Sequence, residues 1–134
     1  MKPFSLKIVT PDGVRYDGQA EELVVRTTTG DVGILAGHIN YVASLGMGEA
    51  TVIIDGQKRY GACIGGMVSV VDGIVTLLPT TFEWADDIDP ERADASQKKA
   101  EKVLGNKSSG STDVLLAKAR LKRALIRKSV YNRK

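Results

Sequence analysis

A chain of 134 residues with 43% hydrophobic residues can form one ordinary domain, or a small domain with an appendage, and is too apolar to be disordered. No apolar run approaches the roughly 20 residues that span a bilayer, and we expect neither a secretory signal nor direct membrane insertion. Residues 113–134 hold eight basic residues and one acid, a net charge of +7, whereas residues 1–112 hold eleven basic and fifteen acidic residues, a net charge of −4. The basic tail favours an acidic partner, which could be a protein surface, a nucleotide or a nucleic acid.

The first 84 residues show the patterns of an all-β domain. Apolar residues alternate with others from Leu6 to Thr10, the sequence PDG at 11–13 predicts a turn, and Asp17-Gly18 predicts a second turn. A third β-rich run covers residues 23–25. Short strands separated by frequent turns are typical of a sandwich or a barrel.

Two Asp-Gly pairs predict tight β-hairpins further along the chain. Asp55-Gly56 lies between β-rich runs at 50–54 and 57–60, and Asp72-Gly73 lies between runs at 68–71 and 74–78. Both central residues of a type I′ turn need a positive φ, which Asp-Gly supplies at low cost.

The pattern changes at residue 86, where a helix is predicted. Asp89 is a candidate N-cap, Pro90 suits the first helical position, and the helix is expected to run to Leu104 and stop at Gly105. Its packing face consists mainly of small residues, namely Ala93, Ala100, Val103 and Leu104.

A second helix is predicted after a polar linker at 105–111. Thr112 or Asp113 is expected to cap it, and it should end near Tyr131. Its apolar stripe contains Val114, Ala117, Leu121, Ala124 and Leu125. Two short amphipathic helices joined by a Gly/Ser-rich loop indicate an antiparallel hairpin, and so few large apolar residues predict weak docking and a mobile appendage.

The sequence lacks the usual combinations of catalytic or metal-binding residues. It has one histidine, His38, and one cysteine, Cys63, so it cannot supply the residues of a standard structural zinc site. No G-x-S-x-G motif occurs, and the glycine-rich GDVGILAGH at 30–38 lacks the GK[ST] ending of a P-loop. A lone cysteine without cationic neighbours is expected to be a buried, inert residue of a protein from a reducing compartment. An enzyme is therefore the weakest interpretation.

A small nucleic-acid-binding protein with a basic helical tail is the competing interpretation. Aromatic residues are only 5% of the chain and form no cluster on a predicted strand, and the first 112 residues are acidic. Both observations weigh against it, because single-stranded nucleic acids are bound on aromatic platforms in basic grooves.

Several motifs together resemble one family. GDVGILAGH at 30–38, GACIGGMVSV at 61–70 and the helix start IDPERA at 88–93 follow one another in the order that is typical of the epsilon subunit of bacterial F-type ATP synthase. LKIVTPDGVRYDG at 6–18 is similar to the opening hairpin of that family, and IGGMVSVVDGIVTLL at 64–78 to its closing strands. The first motif usually carries proline where Ala36 stands here. The resemblance covers the whole chain.

The resemblance implies an α+β protein with a ten-stranded β-sandwich at 1–86 and a two-helix antiparallel hairpin at 87–134. It also implies a non-catalytic subunit of the central stalk, which couples catalysis to ion transport and needs no cofactor. The sandwich would contact the gamma subunit and the membrane ring of c subunits. The hairpin would alternate between a compact form and an extended form, which reaches the alpha/beta catalytic hexamer through its basic second helix and inhibits ATP hydrolysis. Such a subunit lies peripherally on the cytoplasmic face of the bacterial plasma membrane.

The resemblance further implies a regulatory ATP site at the start of the hairpin. Members that bind ATP carry Ile or Leu, Asp, two variable residues, Arg and Ala, a pattern matched by Ile88, Asp89, Arg92 and Ala93. The same letters are also explained by Asp89 as an ordinary N-cap and Arg92 as a solvated side chain, so both readings stay open.

The remaining residues of that implied site lie on both sides of the motif. Glu83 matches an upstream glutamate, and Arg123 and Arg127 match two arginines of the second helix. Lys99 stands where the family has arginine, which keeps the charge but loses the bidentate guanidinium fork.

The resemblance also places Asp31 and His38, within GDVGILAGH, on loops near the rotor ring. Without the resemblance, His38 would be read as an ordinary loop or packing residue.

Overall fold

Ten β-strands are followed by a short 3₁₀ turn and two helices in the computed structural model, which describes residues 1–106, 108 and 110–133. The strands are β1 (Phe4–Thr10), β2 (Gly13–Ala20), β3 (Glu22–Thr27), β4 (Gly30–Ile34), β5 (Tyr41–Ser44), β6 (Met47–Ile54), β7 (Gln57–Ile64), β8 (Met67–Val71), β9 (Ile74–Leu78) and β10 (Thr81–Trp84). A 3₁₀ turn covers Ala85–Asp87, and the helices are α1 (Pro90–Leu104) and α2 (Ser111–Asn132). The predicted β-domain with a helical hairpin is confirmed.

The strands form two five-stranded sheets that pack as a sandwich. The first sheet has the order β2-β1-β9-β8-β5 and the second has the order β10-β7-β6-β3-β4. Neighbouring strands are antiparallel except β1 and β9, which are parallel and join the opening of the domain to its end. Alternate residues of both sheets point inward, and Leu6, Ile8, Leu23, Val52 and Leu77 are among the fully buried side chains. Their burial is the main stabilising term of the sandwich.

Both predicted Asp-Gly hairpins are present. Asp55 and Gly56 have φ angles of 51° and 76° between β6 and β7, and Asp72 and Gly73 have φ angles of 49° and 80° between β8 and β9. The two central residues of each turn are thus in the left-handed region that a type I′ turn requires.

The predicted turn at Asp17-Gly18 is wrong, because β2 runs through it without interruption. Asp17 pairs with Lys7 and Gly18 pairs with Leu6 of β1. The register shifts instead between Ile8 and Val9, which leaves an extra residue, Arg15, on β2 as a bulge. Pairing with β1 along the strand therefore overrides the local turn preference of Asp-Gly.

Trp84 satisfies a backbone group at that bulge. Its indole Nε1 donates a hydrogen bond to the carbonyl oxygen of Arg15 at 3.0 Å, and its ring stands edge-on to Tyr16 and Phe82. The expectation that no aromatic cluster lies on the strands is therefore wrong. Phe82 and Trp84 are buried in the core, so this cluster stabilises the sandwich and is not an exposed stacking platform.

Helix α1 begins and ends at the predicted residues. The side chain of Asp89 caps it, since its Oδ1 accepts hydrogen bonds from the backbone N–H groups of Glu91 at 3.0 Å and Arg92 at 3.2 Å. Gly105 is the C-cap, although its φ of −80° is right-handed. The cap predicted for α2 is wrong: Gly110 is the N-cap and makes no side-chain bond, so α2 starts before Thr112. Of the predicted linker, Lys107 and Ser109 lie outside the described residues, as does Lys134 of the predicted hairpin domain.

The two helices pack through small residues and are joined by one polar cluster. Ala93 and Ala100 of α1 and Ala117 and Ala124 of α2 are all buried. Lys128 Nζ donates to Asp94 Oδ1 at 3.1 Å and to Gln97 Oε1 at 2.7 Å. Alanine allows the helix axes to approach closely, while the lysine fixes their register. The stripe prediction is wrong for Leu125, which is 47% exposed.

The second half of α2 docks on the outer face of the second sheet. Ala62, Ala85, Ile88 and Val130 form a small buried cluster, against which Tyr60, Ile126 and Tyr131 are partly buried. We call these residues the docking cluster. It is much smaller than the sandwich core, as the thin apolar stripe predicts.

Two carboxylates hold α2 on either side of the docking cluster. Glu49 of β6 and Glu83 of β10 both pair in register with Ala62 of β7, so they flank it on one face of the sheet. Glu49 accepts a hydrogen bond from the Ser129 hydroxyl, and its Oε2 lies 2.9 Å from Arg133 Nε. Glu83 binds Arg127 of α2.

Candidate functional site

A cavity of about 310 Å³ lies where the hairpin meets the edge of the sandwich. Strands β7 and β10 contribute one wall and the two helices contribute the others. Its lining residues are Ile64, Thr81, Glu83, Arg92, Ser96, Arg120, Arg123, Ala124 and Arg127. We call it the arginine pocket, because four guanidinium groups and a single carboxylate line it.

One of the four arginines is already paired with the sandwich. Arg127 Nη2 donates to Glu83 Oε2 at 3.1 Å, and Arg127 Nε lies 2.8 Å from Glu83 Oε1 without the angle of a hydrogen bond, so the two groups form an ion pair with one hydrogen bond. Glu83 points outward because its neighbours Phe82 and Trp84 point into the core. The Arg127 side chain is only 19% exposed, which shields the pair from solvent and strengthens it relative to a surface ion pair.

The other three arginines have no such partner. Among the residues that the structure describes, the guanidinium groups of Arg92, Arg120 and Arg123 make no ion pair and no hydrogen bond. Three uncompensated guanidinium groups around one cavity repel one another, and an anion that bridges them relieves that repulsion. Planar guanidinium donors match phosphate oxygens in bidentate geometry.

The structure brings together four of the eight residues predicted for this site. Glu83, Arg92, Arg123 and Arg127 line the arginine pocket. Ile88, Asp89, Ala93 and Lys99 do not line it.

Ile88, Asp89 and Ala93 have structural roles in the docked hairpin. Ile88 is buried in the docking cluster, and Ala93 is fully buried in the contact between the helices. Asp89 caps α1, and its two accepted hydrogen bonds position the first turn, which carries Arg92. The N-cap reading of Asp89 is thus confirmed, whereas the reading of Arg92 as a merely solvated side chain overlooks its place in the pocket.

Lys99 is exposed and lies outside the arginine pocket. Sequence reasoning missed Arg120 and Ser96, which do line it. The signal was available in the spacing: Arg120, Arg123 and Arg127 recur at i, i+3 and i+7, which places them on one helical face.

No metal site competes with this interpretation within the described part of the chain. A search of residues 1–106, 108 and 110–133 finds no group of three or more metal-ligating side chains. Over the same residues, neither helix is long and apolar enough to cross a membrane.

Two family models match consecutive parts of the chain. The description "ATP synthase, Delta/Epsilon chain, beta-sandwich domain" matches residues 3–85, and "ATP synthase, Delta/Epsilon chain, long alpha-helix domain" matches residues 86–131. The chain belongs to the ATP synthase epsilon-chain family.

Relatives and solved structures agree with this assignment. The ATP synthase epsilon chain of Ruminococcus albus is 44% identical over the full length of both chains, and that of Bacillus subtilis is 44% identical over 85% of this chain and 86% of its own. A chain of the Euglena gracilis mitochondrial ATP synthase has the same fold, with a TM-score of 0.82 at 22% identity over 95% of this chain and 80% of its own. A chain of the Tetrahymena thermophila enzyme's central stalk and c-ring structure gives 0.61 at 14% identity, over 95% of each chain.

The two residues predicted for the rotor-ring contact of this epsilon chain lie in different settings. Asp31 is on β4 and not on a loop, and its Oδ1 lies 2.8 Å from Arg26 Nε of β3. His38 follows β4 in the connection to β5, where its Nδ1 lies 2.8 Å from the carbonyl oxygen of Ile39 and its ring stands edge-on to Tyr41. Asp31 lies near the start of β4, whereas His38 lies four residues after its end.

Proposed function

We propose that this epsilon chain is a non-catalytic rotor subunit of the central stalk of an F-type ATP synthase. Its hairpin restrains ATP hydrolysis in an extended form and is held in the compact form by ATP. The catalytic chemistry belongs to other subunits in this proposal, since this chain contributes binding surfaces and a movable pair of helices.

The composition of the arginine pocket carries this proposal. The pocket takes Glu83 from the sandwich, Arg92 from α1 and Arg123 and Arg127 from α2, so it is complete only when the hairpin is closed and docked. A ligand that binds only the docked form stabilises it by RT ln(1 + [L]/Kd), which is about 2.7 kcal/mol at 100 times Kd. That is enough to shift an equilibrium between two forms by about a hundredfold.

Calorimetric titration of the full chain with ATP tests the nucleotide part of the proposal. We expect saturable binding, and we expect Arg92→Ala to weaken it by about tenfold or more, because a charge-assisted phosphate contact is lost. Lys102→Ala is the matched control: it also removes one cation from α1, but Lys102 does not line the pocket. Absence of binding up to millimolar ATP would end the idea of a nucleotide-held hairpin.

Truncation of the chain after Ile88 tests the inhibitory part. In a reconstituted complex, the truncated chain should still assemble through the sandwich, and ATP hydrolysis should rise because the extended helices are gone. Unchanged hydrolysis with normal assembly would show that the hairpin of this member is not inhibitory.

The outer face of the first sheet is the surface that we assign to the gamma subunit. Its exposed apolar residues form a strip across three adjacent strands, namely Val42, Met67, Val71, Ile74 and Leu78. Cross-strand pairing of Met67 with Leu78 and of Val71 with Ile74 makes the strip continuous. A contiguous apolar strip of this kind is typical of a protein interface.

Substitution within that strip tests the assignment. Val71→Asp should abolish co-purification with gamma, whereas Leu115→Asp, at an equally exposed leucine of α2, should leave it intact. Retention of gamma by the Val71 variant would exclude this face.

The end of the sandwich around the β4–β5 connection is the surface that we assign to the ring of c subunits. His38 is accompanied there by two exposed apolar side chains, Leu35 and Ile39. The basic face of α2 would meet the alpha/beta hexamer when the hairpin extends. These contacts would hold the chain peripherally on the cytoplasmic face of the bacterial plasma membrane.

A further inference from the structure

Arg120 is the lining residue of the arginine pocket that the family motif does not predict. It lies one turn before Arg123 on α2 and shares a helical face with Arg123 and Arg127. Its side chain is exposed and, among the described residues, makes no ion pair. Among the described residues, nothing neutralises this guanidinium, which shares a helical face with two other arginines.

Lys99 cannot fill the position that the family assigns to an arginine. It is exposed and outside the pocket, and α1 contributes only Arg92 and Ser96 to the lining. An ammonium group is also a point charge without a bidentate fork. If phosphate binding in this member needs a further guanidinium, it must come from another part of the hairpin.

The charge balance of the pocket also indicates that a guanidinium outside α1 takes part in phosphate binding. Glu83 neutralises Arg127, so three positive charges remain, on Arg92, Arg120 and Arg123. A chain of three phosphates carries a comparable negative charge and can span several guanidinium groups. Without Arg120, only two uncompensated arginines would face the three phosphates, because Arg127 would first have to be released from Glu83.

We infer that Arg120 is a phosphate-binding residue of the arginine pocket, and that it supplies the bidentate contact that Lys99 cannot make. The ligand class is an extended polyphosphate, either the triphosphate of a nucleotide or an inorganic polyphosphate. The inference rests on the proposed function, because it concerns the same pocket. Seven of the nine lining residues are polar or charged, and this lining and the small volume of the pocket suit the phosphate chain better than an enclosed base.

Calorimetric titration of the full chain with ATP and, separately, with inorganic tripolyphosphate tests the inference. We expect Arg120→Ala to weaken binding of both ligands by about 10- to 100-fold, because charge-assisted hydrogen bonds are lost. Arg120→Lys should recover only part of the loss, since the charge returns without the fork. Lys99→Ala should change the affinity by less than about twofold if Lys99 makes no phosphate contact, because solvent and salt screen an exposed charge.

Lys118→Ala is the matched control for general electrostatics. It removes one cation from α2 only two positions from Arg120, on a different helical face and outside the pocket. It should leave the affinity within about twofold, as for Lys99→Ala. Circular dichroism and amide exchange of α2 should be unchanged in every variant, because the substituted side chains are exposed.

The outcomes separate this inference from the proposed function. If the unsubstituted chain binds ATP and Arg120→Ala binds within twofold of it, the inference is overturned and the nucleotide proposal stands. A large loss of ligand affinity in Lys99→Ala, with no loss in Arg120→Ala, would show that Lys99 and not Arg120 binds the phosphates. Binding of neither ATP nor tripolyphosphate by the unsubstituted chain at millimolar concentration would overturn both.

Discussion

Truncation of Val130 should release the hairpin from the sandwich while leaving the sandwich folded. Val130 of α2 is fully buried and packs in the docking cluster against Ala62, Ala85 and Ile88. Val130→Ala removes two methyl groups from this small cluster. At about 0.8 kcal/mol per buried methylene-sized group, and with a further cost for the cavity left behind, docking should weaken by about 1.5 to 3 kcal/mol.

Hydrogen exchange of the backbone amides measures this loss directly. Opening of the hairpin exposes the α1 and α2 amides, because most of the stability of such helices comes from packing of their apolar faces, which is then lost. Since each 1.4 kcal/mol corresponds to a factor of ten, exchange of α2 amides should accelerate by about 10- to 100-fold. Amides of β9 (Ile74–Leu78) lie in the first sheet, away from the docking face, and should keep their rates.

Leu115→Ala is the control for this experiment. Leu115 is a larger apolar residue of the same helix, but it is 68% exposed, so its truncation should leave α2 exchange unchanged. Equal acceleration of α2 and β9 amides in Val130→Ala would show that hairpin and sandwich open as one unit. Unchanged α2 exchange would show that docking does not depend on this cluster.

Three further predictions concern local structure. Asp89→Ala should destabilise the first turn of α1 by about 1 kcal/mol and accelerate its amide exchange about fivefold, whereas Thr112→Ala should cost α2 nothing, because Thr112 is not its cap. Equal effects of the two substitutions would contradict the observed caps. Gly66→Ala should lower the Tm of the sandwich by more than about 10 °C, since Gly66 has a φ of 94° and a Cβ there would collide with backbone atoms. Gly33→Ala, in open space without a positive φ, is its control, and a similar Tm for both variants would refute the argument.

Burial raises the pKa of the Cys63 thiol to about 12 from 9.0. It should therefore resist thiol reagents at pH 8 until urea is added, and rapid labelling of the native chain would contradict this. Its contribution to stability is fully present below pH 9.0 and is lost as the pH rises towards 12.

Turns and helix caps could be predicted from the sequence where a few neighbouring residues determine the local structure by themselves. Asp55-Gly56 and Asp72-Gly73 form the expected turns because both residues of each pair tolerate a positive φ. Asp89 caps α1 because its carboxylate reaches the N–H groups two and three residues ahead. Such signals need no knowledge of the remaining chain.

Long-range pairing explains what the sequence did not reveal. Asp17-Gly18 is a dipeptide that is typical of turns, but both residues remain in β2 because that strand pairs with β1 along its whole length. The parallel pairing of β1 with β9, more than sixty residues apart in the chain, leaves no local pattern, and the choice between sandwich and barrel stays open without it. The spacing of Arg120 with Arg123 and Arg127 places them on one helical face, but only the closed hairpin, with α2 beside α1 and β10, shows that this face lines the pocket.

The two carboxylates beside Ala62 give the vacated sandwich surface a distinct character. In the extended form that we propose, Glu49 and Glu83 lose their cations, and the side chains of Ala62 and Tyr60 between them become exposed to water. The result is a narrow apolar groove flanked by two carboxylates, which suits a surface that carries apolar and basic side chains as α2 does. A chain shortened after Ile88 exposes this groove permanently. It therefore differs from the full chain by a new potential binding surface as well as by its missing helices.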